Sequence, residues 1–450
     1  MTKHCLSSSG STRGSMPHSH GLPGQAGQWQ RLPFPSRNRT CQCMYARAML
    51  AYLPPLFFFA ALLGSPVLGF LVFMALGLQY AWQSWRQPAS PQAFHWTRQD
   101  SWVALNFMSI FLFKVFTLLW SPKPELALGN AAWHLYFLFW PLVLLGLARC
   151  QGSQTHIDKG LALGLITTAV ISLYLVVVKG DPDVRSLGNV GITAQLTMVL
   201  GGWNLLALTR AGTARRDQAL YAAALVATGL VLALTTRRLE LLGFAVLSFG
   251  IVLCRLWHKL TPARLLLLLL LSLALGAAFF ALRWEKFAQG IGEIGRYFAS
   301  RAQGEPYIDS SWGARLEMWR LGITGFLDHP LLGLSASARA YDMPGAPPVD
   351  IFGHRHFHSH LLQTLVEGGL LGLAVFAAAL WHSTRALIVR AWASQRETAL
   401  LATSLLAAYA LEGAASAALV YDKPNALLVV ASAWCWLTVR GSEEHIRKNS

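Results

Sequence analysis

The chain has 450 residues, of which 54% are hydrophobic and only 13% are charged, and its mean hydropathy is +0.42. Soluble domains carry roughly 25% charged residues, so this composition excludes an ordinary soluble protein and indicates a multi-pass membrane protein. The formal net charge of +16 requires no nucleic-acid partner, because membrane proteins retain an excess of lysine and arginine on the cytoplasmic side.

Residues 1–47 precede the apolar part of the chain and are predicted to form a disordered cytoplasmic tail. Most of this segment is rich in Ser, Gly, Pro and His without any periodicity. It contains neither the apolar stretch nor the cleavage site of a signal peptide.

Apolar runs of about 17 to 22 residues recur after the tail, each long enough to cross a hydrocarbon core of roughly 30 Å as a helix. We predict about twelve spans and therefore an all-α, polytopic fold. The predicted spans are 49–63, 66–85, 102–120, 131–148, 160–178, 190–208, 219–234, 239–257, 265–282, 361–381, 400–418 and 426–439. Spans one to nine fill residues 48–282, spans ten to twelve fill 358–440, and 441–450 form a second tail.

Basic residues are concentrated in every second connection, which predicts that both termini are cytoplasmic. The long segment 283–357 then lies on the opposite side, which in a bacterium is the periplasm. It contains eight basic and eight acidic residues, so an anion site in this loop has to be built from particular arginines.

Three places on this exoplasmic side offer such arginines: Arg185, the pair Arg237 and Arg238, and Arg315. A guanidinium group can hold a phosphate through a bidentate fork. The alternatives are an ion pair with Asp181 or Asp183 for Arg185, contact with phospholipid headgroups for Arg237 and Arg238, and an ion pair or headgroup contact for Arg315.

Residues from Gly313 onward show apolar side chains at spacings of three and four, which predicts an amphipathic helix that stops near Pro330. Arg315 and Trp319 would lie one turn apart on one face of this helix.

Four histidines, His354, His356, His358 and His360, stand at alternate positions at the start of the tenth predicted span. A neutral imidazole, with an ordinary pKa of about 6.5, is suited to accepting a proton at neutral pH. A packed helix cap is the alternative for His358, and solvated loop positions for His354 and His356.

The spacing of His360, Gln363 and Glu367 predicts a polar stripe on one helix face, which in a membrane faces the bundle interior or a water-filled cavity. Zinc binding is a rival interpretation, because His354 with His358 and His356 with His360 are i, i+4 pairs. No third-ligand pattern of comparable quality accompanies them.

Lys114, His134 and Glu412 are further polar residues inside predicted spans. We expect them to pair between helices, for example Lys114 with Glu412, because charged groups at this depth usually pair with one another. Proton relay is the alternative.

These motifs occur in an order that resembles the O-antigen ligase and polymerase superfamily of bacterial envelope glycosyltransferases. The resemblance covers roughly residues 183–375 and is strongest from Gly313. It rests on His358-Ser359 followed by Gly369 and Gly372, on Arg315 and Trp319 followed by His329-Pro330-Leu331-Leu332-Gly333, and on Arg238 and Arg185. Departures from the family pattern are Arg237 in place of a serine, Leu239 in place of a glycine, and Val190-Gly191-Ile192 in place of Asn-Pro-Asn.

The resemblance implies a C-type glycosyltransferase architecture in the bacterial inner membrane, with an undecaprenyl-pyrophosphate-linked glycan as donor. It implies that His358 is the base, that Arg238 and Arg315 act catalytically, and that no metal or cofactor takes part. The implied binding residues for pyrophosphate and glycan are Arg185, Arg237, Arg238, Arg315, Trp319, His356 and His360.

The acceptor that the resemblance favours is the lipid A core oligosaccharide, so the expected activity is that of an O-antigen ligase. An O-antigen polymerase and a protein O-oligosaccharyltransferase are alternatives within the superfamily. A transporter or flippase is the alternative from another class, supported by the helix number and by Lys114 and Glu412.

Overall fold

The computed structural model describes residues 49–63, 66–87, 94–150, 153–181, 184, 189–235, 237–256, 261, 263, 266, 270, 281, 284–304, 308, 311–347, 356–416 and 419–449. Within these ranges the chain is helical, without a β-strand, which confirms the all-α prediction. The helices are α1 (Leu53–Ala60), α2 (Pro66–Arg86), α3 (Arg98–Phe116), α4 (Pro124–Ala132), α5 (Leu135–Leu138), α6 (Trp140–Cys150), α7 (Gln154–Val177), α8 (Val190–Leu208), α9 (Arg215–Leu234), α10 (Arg238–Leu256), α11 (Trp284–Ala302), α12 (Ser311–Asp328), α13 (His360–Ser394), α14 (Arg396–Ala415) and α15 (Asp422–Asn449).

Six helical segments among the described residues are long and apolar enough to cross a membrane, by length and composition. They are Pro66–Arg86, Arg98–Trp120, Gln154–Val177, Val190–Leu208, Arg215–Leu234 and His360–Trp392. Helices α10, α14 and α15 overlap the eighth, eleventh and twelfth predicted spans, and the shorter helices α1 and α4 to α6 overlap the first and the fourth. The predicted tail 1–47 and nearly all of the ninth predicted span lie outside the described residues, and the number of about twelve spans stays a prediction.

Helix α8 lies at the centre of the bundle, since 89% of its most apolar window is buried inside the protein. Its Trp203 packs edge-on against Phe58 of α1, with ring centres 4.6 Å apart. The indole of Trp203 also donates a hydrogen bond of 3.1 Å to Asp158 of α7. A buried indole N–H needs such a partner, so this bond fixes how α7 and α8 pack.

The fourth predicted span is not one helix. It is divided into α4, α5 and α6, with Trp133 and His134 at the first break. Pro141, the second residue of α6, has no backbone N–H to continue a preceding helix. Irregular backbone at membrane depth is tolerated where it is enclosed by protein or lines a cavity, and His134 is in fact buried.

The tenth predicted span is not straight either, because α13 is broken at Gly369, whose φ of 60° and ψ of −156° are non-helical. A Cβ at Gly369 would lie 2.4 Å from the carbonyl carbon and oxygen of Leu331. The break is held by backbone hydrogen bonds from Leu370 to Pro330 (2.8 Å) and from Leu371 to Leu331 (3.1 Å). The motif His329–Gly333 therefore supplies the backbone carbonyls that hold the kink in place.

The kink folds the first turns of α13 back against the rest of the helix. The rings of His360 and Phe376 lie 4.9 Å apart, whereas 16 residues of straight helix would span about 24 Å. The polar residues His360, Gln363 and Glu367 all lie on the short segment before the kink. The kink therefore determines which helices these side chains face.

The predicted amphipathic helix is present as α12, which ends at Asp328. Its buried residues Met318 and Leu321 pack in one cluster with Phe357 and Val366. This packing connects α12 to the chain on both sides of His358. The loop helix α11 is joined to α12 by Tyr297, whose hydroxyl donates a hydrogen bond of 2.7 Å to Glu317.

Candidate active site

His358 lies just before the start of α13, where Ser359 is the N-cap. The Ser359 hydroxyl accepts a hydrogen bond of 3.3 Å from the backbone N–H of Leu362. His358 itself has φ of 47°, a left-handed conformation that is uncommon for residues other than glycine. A histidine held in such a conformation at the mouth of a helix is a candidate functional residue on structural grounds as well as on sequence grounds.

His356 contacts His358 directly. Their ring centres are 4.3 Å apart, and the backbone N–H of His358 donates to Nδ1 of His356 at 3.4 Å. Since Nδ1 accepts, Nε2 carries the proton in neutral His356 and donates to the Tyr421 hydroxyl at 3.1 Å. This chain of contacts fixes the orientation of the His356 ring.

Tyr421 in turn connects His356 to Asn189 and Arg237, one of the arginines predicted to bind an anion. Burial raises the pKa of Tyr421, whereas a hydrogen bond with Asn189 and the positive charge of Arg237 act in the opposite direction, and the net shift is upward. Tyr421 is therefore a neutral phenol at neutral pH, able both to donate and to accept.

Arg237 and Arg315 both interact electrostatically with Glu240, near the start of α10. The Arg237 guanidinium also lies beside Gly191, where a Cβ would come within 3.3 Å of it. The Arg315 guanidinium is 5.8 Å from the ring centre of Trp312. The structure thus brings two of the predicted arginines to one acidic residue, although they come from separate parts of the sequence.

The structure describes only some of the remaining predicted site residues. Arg238 is the first residue of α10, but its side chain, all of Arg185 and all of His354 lie outside the described part of the chain. Trp319 is half-buried in α12, and its indole N–H has no hydrogen-bond partner among the described residues.

A polar cavity of about 370 Å³ lies next to His356. Its lining residues are Lys114, Asn130, Trp133, His134, Arg339, His356, His360, Gln363, Glu367, Val420 and Tyr421. The predicted polar stripe does face this cavity. Sequence reasoning missed Asn130, Trp133, Arg339 and Tyr421. They come from three parts of the chain: Asn130 and Trp133 from the end of α4, Arg339 from the connection between α12 and α13, and Tyr421 from the connection between α14 and α15.

Lys114 of α3 forms a buried ion pair with Glu367 of α13. Glu367 also accepts a hydrogen bond of 2.7 Å from the Gln363 amide. The predicted pairing of Lys114 with Glu412 is therefore wrong. The kink at Gly369 turns the Glu367 segment towards α3, whereas Glu412 of α14 interacts electrostatically with Glu240 and Arg237.

His134 and His360 lie deep in the cavity, with ring centres 6.3 Å apart. His360 was predicted as a binding residue from the histidine cluster, and His134 only as a polar residue within a span. They are brought together by the break after α4 and the kink of α13, respectively.

The zinc interpretation requires His356 and His360 on one helix, but α13 begins at His360. His356 precedes the helix and points to Tyr421 instead. In the part of the chain that the structure describes, no group of three or more His, Cys, Asp or Glu side chains is arranged to hold a metal ion.

The fold and the site together define a multi-pass helical membrane protein with a polar, histidine-lined cavity at the end of a kinked helix. Residues 223–377, which contain α10 to the kink of α13, match the O-antigen ligase family. This match supports membership of the O-antigen ligase superfamily. No curated protein matches the chain.

Proposed function

We propose that the protein is an O-antigen ligase that transfers polysaccharide from undecaprenyl pyrophosphate to the lipid A core oligosaccharide. The transfer takes place at the periplasmic face of the inner membrane. The family match and the apolar helices support a membrane glycosyltransferase of this kind. The proposal includes about twelve spans, both termini in the cytoplasm, and segment 283–357 as the periplasmic loop.

The observation that carries the proposal is the position of His358 beside His356, at the N-terminus of a helix that lines the cavity. Neutral His358 would take the proton of an acceptor hydroxyl while its oxygen attacks the anomeric carbon. The bond from that carbon to the pyrophosphate oxygen breaks, and undecaprenyl pyrophosphate leaves. A single displacement inverts the anomeric centre.

Arginines would stabilise the charge that develops on the pyrophosphate as this bond breaks. Arg237 and Arg315, which interact with the same carboxylate of Glu240, are within one region, and Arg238 follows Arg237 directly. We assign Arg238 and Arg315 to catalysis, and Arg185, Arg237, Trp319, His356 and His360 to binding of donor or acceptor. With fixed guanidinium groups in this role, the reaction needs no divalent cation.

The test is transfer from undecaprenyl-pyrophosphate glycan to lipid A core by the purified protein in detergent, in the presence of EDTA. Wild type is compared with His358→Ala and with His382→Ala, an exposed histidine further along the same helix. We expect transfer by wild type and His382→Ala and none by His358→Ala. Loss of wild-type transfer in EDTA would contradict the metal-independent mechanism.

The same experiment separates the alternatives. Transfer in detergent, without any gradient, excludes a transporter or flippase as the basic activity. No transfer to lipid A core, combined with extension of lipid-linked repeats, would identify a polymerase. In a deletion strain, the ligase proposal requires loss of all attached O-polysaccharide, and a single attached repeat would contradict it.

A further inference from the structure

His134 and His360 are two buried imidazoles without adequate partners. Their side chains belong to residues that are only 5% and 3% exposed. Neither nitrogen of either ring has a hydrogen-bond partner among the described residues. The Asn130 backbone interacts with the His134 ring, but this contact does not have the geometry of a hydrogen bond. Buried polar groups are normally hydrogen-bonded, so this pair requires an explanation.

Neutral imidazole has one donor and one acceptor nitrogen. A phosphate or carboxylate oxygen can only accept, so it would satisfy the N–H and be repelled by the other nitrogen. Lys114 offers no net charge for an anion, because Glu367 neutralises it. A hydroxyl group, in contrast, donates to one nitrogen and accepts from another. Two imidazoles at 6.3 Å therefore fit neighbouring hydroxyl groups of one ligand.

The rest of the cavity has the character that a sugar ring requires. Trp133, next to His134, and Tyr421 supply aromatic faces. The amides of Asn130 and Gln363 also line the cavity, but they donate to the Ala336 carbonyl and to Glu367, respectively, each at 2.7 Å. Aromatic rings present an apolar surface with a polar edge, which suits the alternating C–H and O–H groups of a pyranose. The cavity volume of about 370 Å³ is within the range of small-molecule sites.

We propose that His134 and His360 bind the hydroxyl groups of a sugar ring in this cavity, as a subsite that determines which glycan is accepted. The inference deepens the proposed function, on which it rests for the source of the sugar. His356 lines the same cavity and contacts His358, so the bound ring lies beside the proposed base. The ring belongs either to the acceptor oligosaccharide or to the lipid-linked donor.

The test is calorimetric binding to the full-length protein in nanodiscs. The three probes are deacylated core oligosaccharide, an O-antigen repeat oligosaccharide and inorganic pyrophosphate. His134→Leu and His360→Leu remove the donor and acceptor, His134→Gln and His360→Gln retain one of each, and His382→Leu is the matched control in α13. Gel filtration and helicity confirm that each variant is folded.

We expect each Leu variant to bind one of the two oligosaccharides about tenfold or more weakly than wild type, as for the loss of a buried hydrogen bond. The Gln variants and His382→Leu should bind it nearly as wild type does, and pyrophosphate should be unaffected throughout. Which oligosaccharide is weakened identifies the sugar as acceptor or donor. The inference would be overturned if folded Leu variants bound both oligosaccharides with unchanged affinity, or if they bound pyrophosphate more weakly and the oligosaccharides as wild type does.

If a Leu variant does not fold, the wild-type chain labelled with ¹⁵N-histidine replaces it. The ring nitrogens of His134 and His360, assigned from the Gln variants, must shift when oligosaccharide is added, and no shift would overturn the inference. Failure of the proposed function is distinguishable. Histidine-dependent oligosaccharide binding without any transfer would contradict the transferase alone, and normal transfer by both Leu variants would contradict the subsite alone.

Discussion

Lys114 and Glu367 form an ion pair that joins α3 to the short first segment of α13, at the wall of the polar cavity. Both side chains are almost completely buried. Taking two charges out of water is costly, and their attraction compensates only while both are present. The pair therefore makes the position of the Glu367 segment dependent on Lys114.

Removal of one partner of this pair should be strongly destabilising. Lys114→Met or Glu367→Met should lower the free energy of unfolding by about 3–5 kcal/mol, since each leaves an uncompensated buried charge. The double variant should recover most of that loss. The measurement is unfolding in mixed detergent micelles, analysed as a double-mutant cycle.

Lys123→Met, which breaks the more exposed pair with Asp342 at 3.0 Å, is the control and should lower the free energy of unfolding by less than about 1 kcal/mol. Additive effects of the two single variants would show that the charges are not coupled.

Arg238→Ala and Arg315→Ala should abolish transfer while membrane insertion remains normal. Removal of a group that stabilises developing charge typically costs about 10²- to 10³-fold in rate. The measurement is transfer by purified variants, with lipopolysaccharide from complemented cells as a second readout. Arg296→Ala, in the exposed part of α11, is the control. Wild-type lipopolysaccharide from both variants would refute the anion-binding role.

Gly369→Ala should disrupt the kink of α13 and with it the cavity. The left-handed φ of 60° and the approach of the Leu331 carbonyl to 2.4 Å leave no space for a methyl group. We expect a lower melting temperature and loss of transfer. Gly250→Ala in α10 meets no atom within 4 Å, so it should be neutral or slightly stabilising because alanine favours helix. Equal stability of the two variants would contradict the structural role of Gly369.

The contact between α11 and α12 should weaken in acid. Burial by itself would raise the pKa of Glu317, but the hydrogen bonds from Arg320 and Tyr297 outweigh it and lower the pKa below 4.5. A carboxyl with a lowered pKa in the folded state contributes stability that is complete above its unfolded pKa and is lost as the pH falls through the folded value.

Wild type should consequently lose more stability than Glu317→Gln between pH 5 and the folded pKa, which lies below 4.5, within the roughly pH 5 to pH 1 range over which such carboxylates titrate. Tyr297→Phe, which removes one of the hydrogen bonds that lower the folded pKa of Glu317, should lose less stability in acid than wild type, and that loss should be complete at a higher pH. The measurement is thermal unfolding at a series of pH values. Parallel curves for wild type and Glu317→Gln would show that Glu317 is not the titrating group.

Local patterns were sufficient for those parts of the protein that depend on neighbours in the chain. The apolar runs predicted α7, α8 and α9 because the spacing of apolar residues and the length of a span are local properties. The periodicity after Gly313 and the proline at 330 predicted α12 and its end for the same reason. The motif from His358 to Gly372 also predicted the family, which the match over residues 223–377 supports.

The tertiary structure decided which polar residues meet. Lys114 and Glu367 are 253 positions apart, and their pairing depends on the kink at Gly369, a backbone conformation that no side-chain periodicity records. His134 reaches His360 only because the predicted fourth span is broken and α13 folds back. The sequence by itself determined a helical membrane protein and a histidine at a helix start. The cavity arose from two interruptions of helices, where packing and backbone hydrogen bonds to distant segments outweigh local helix preference.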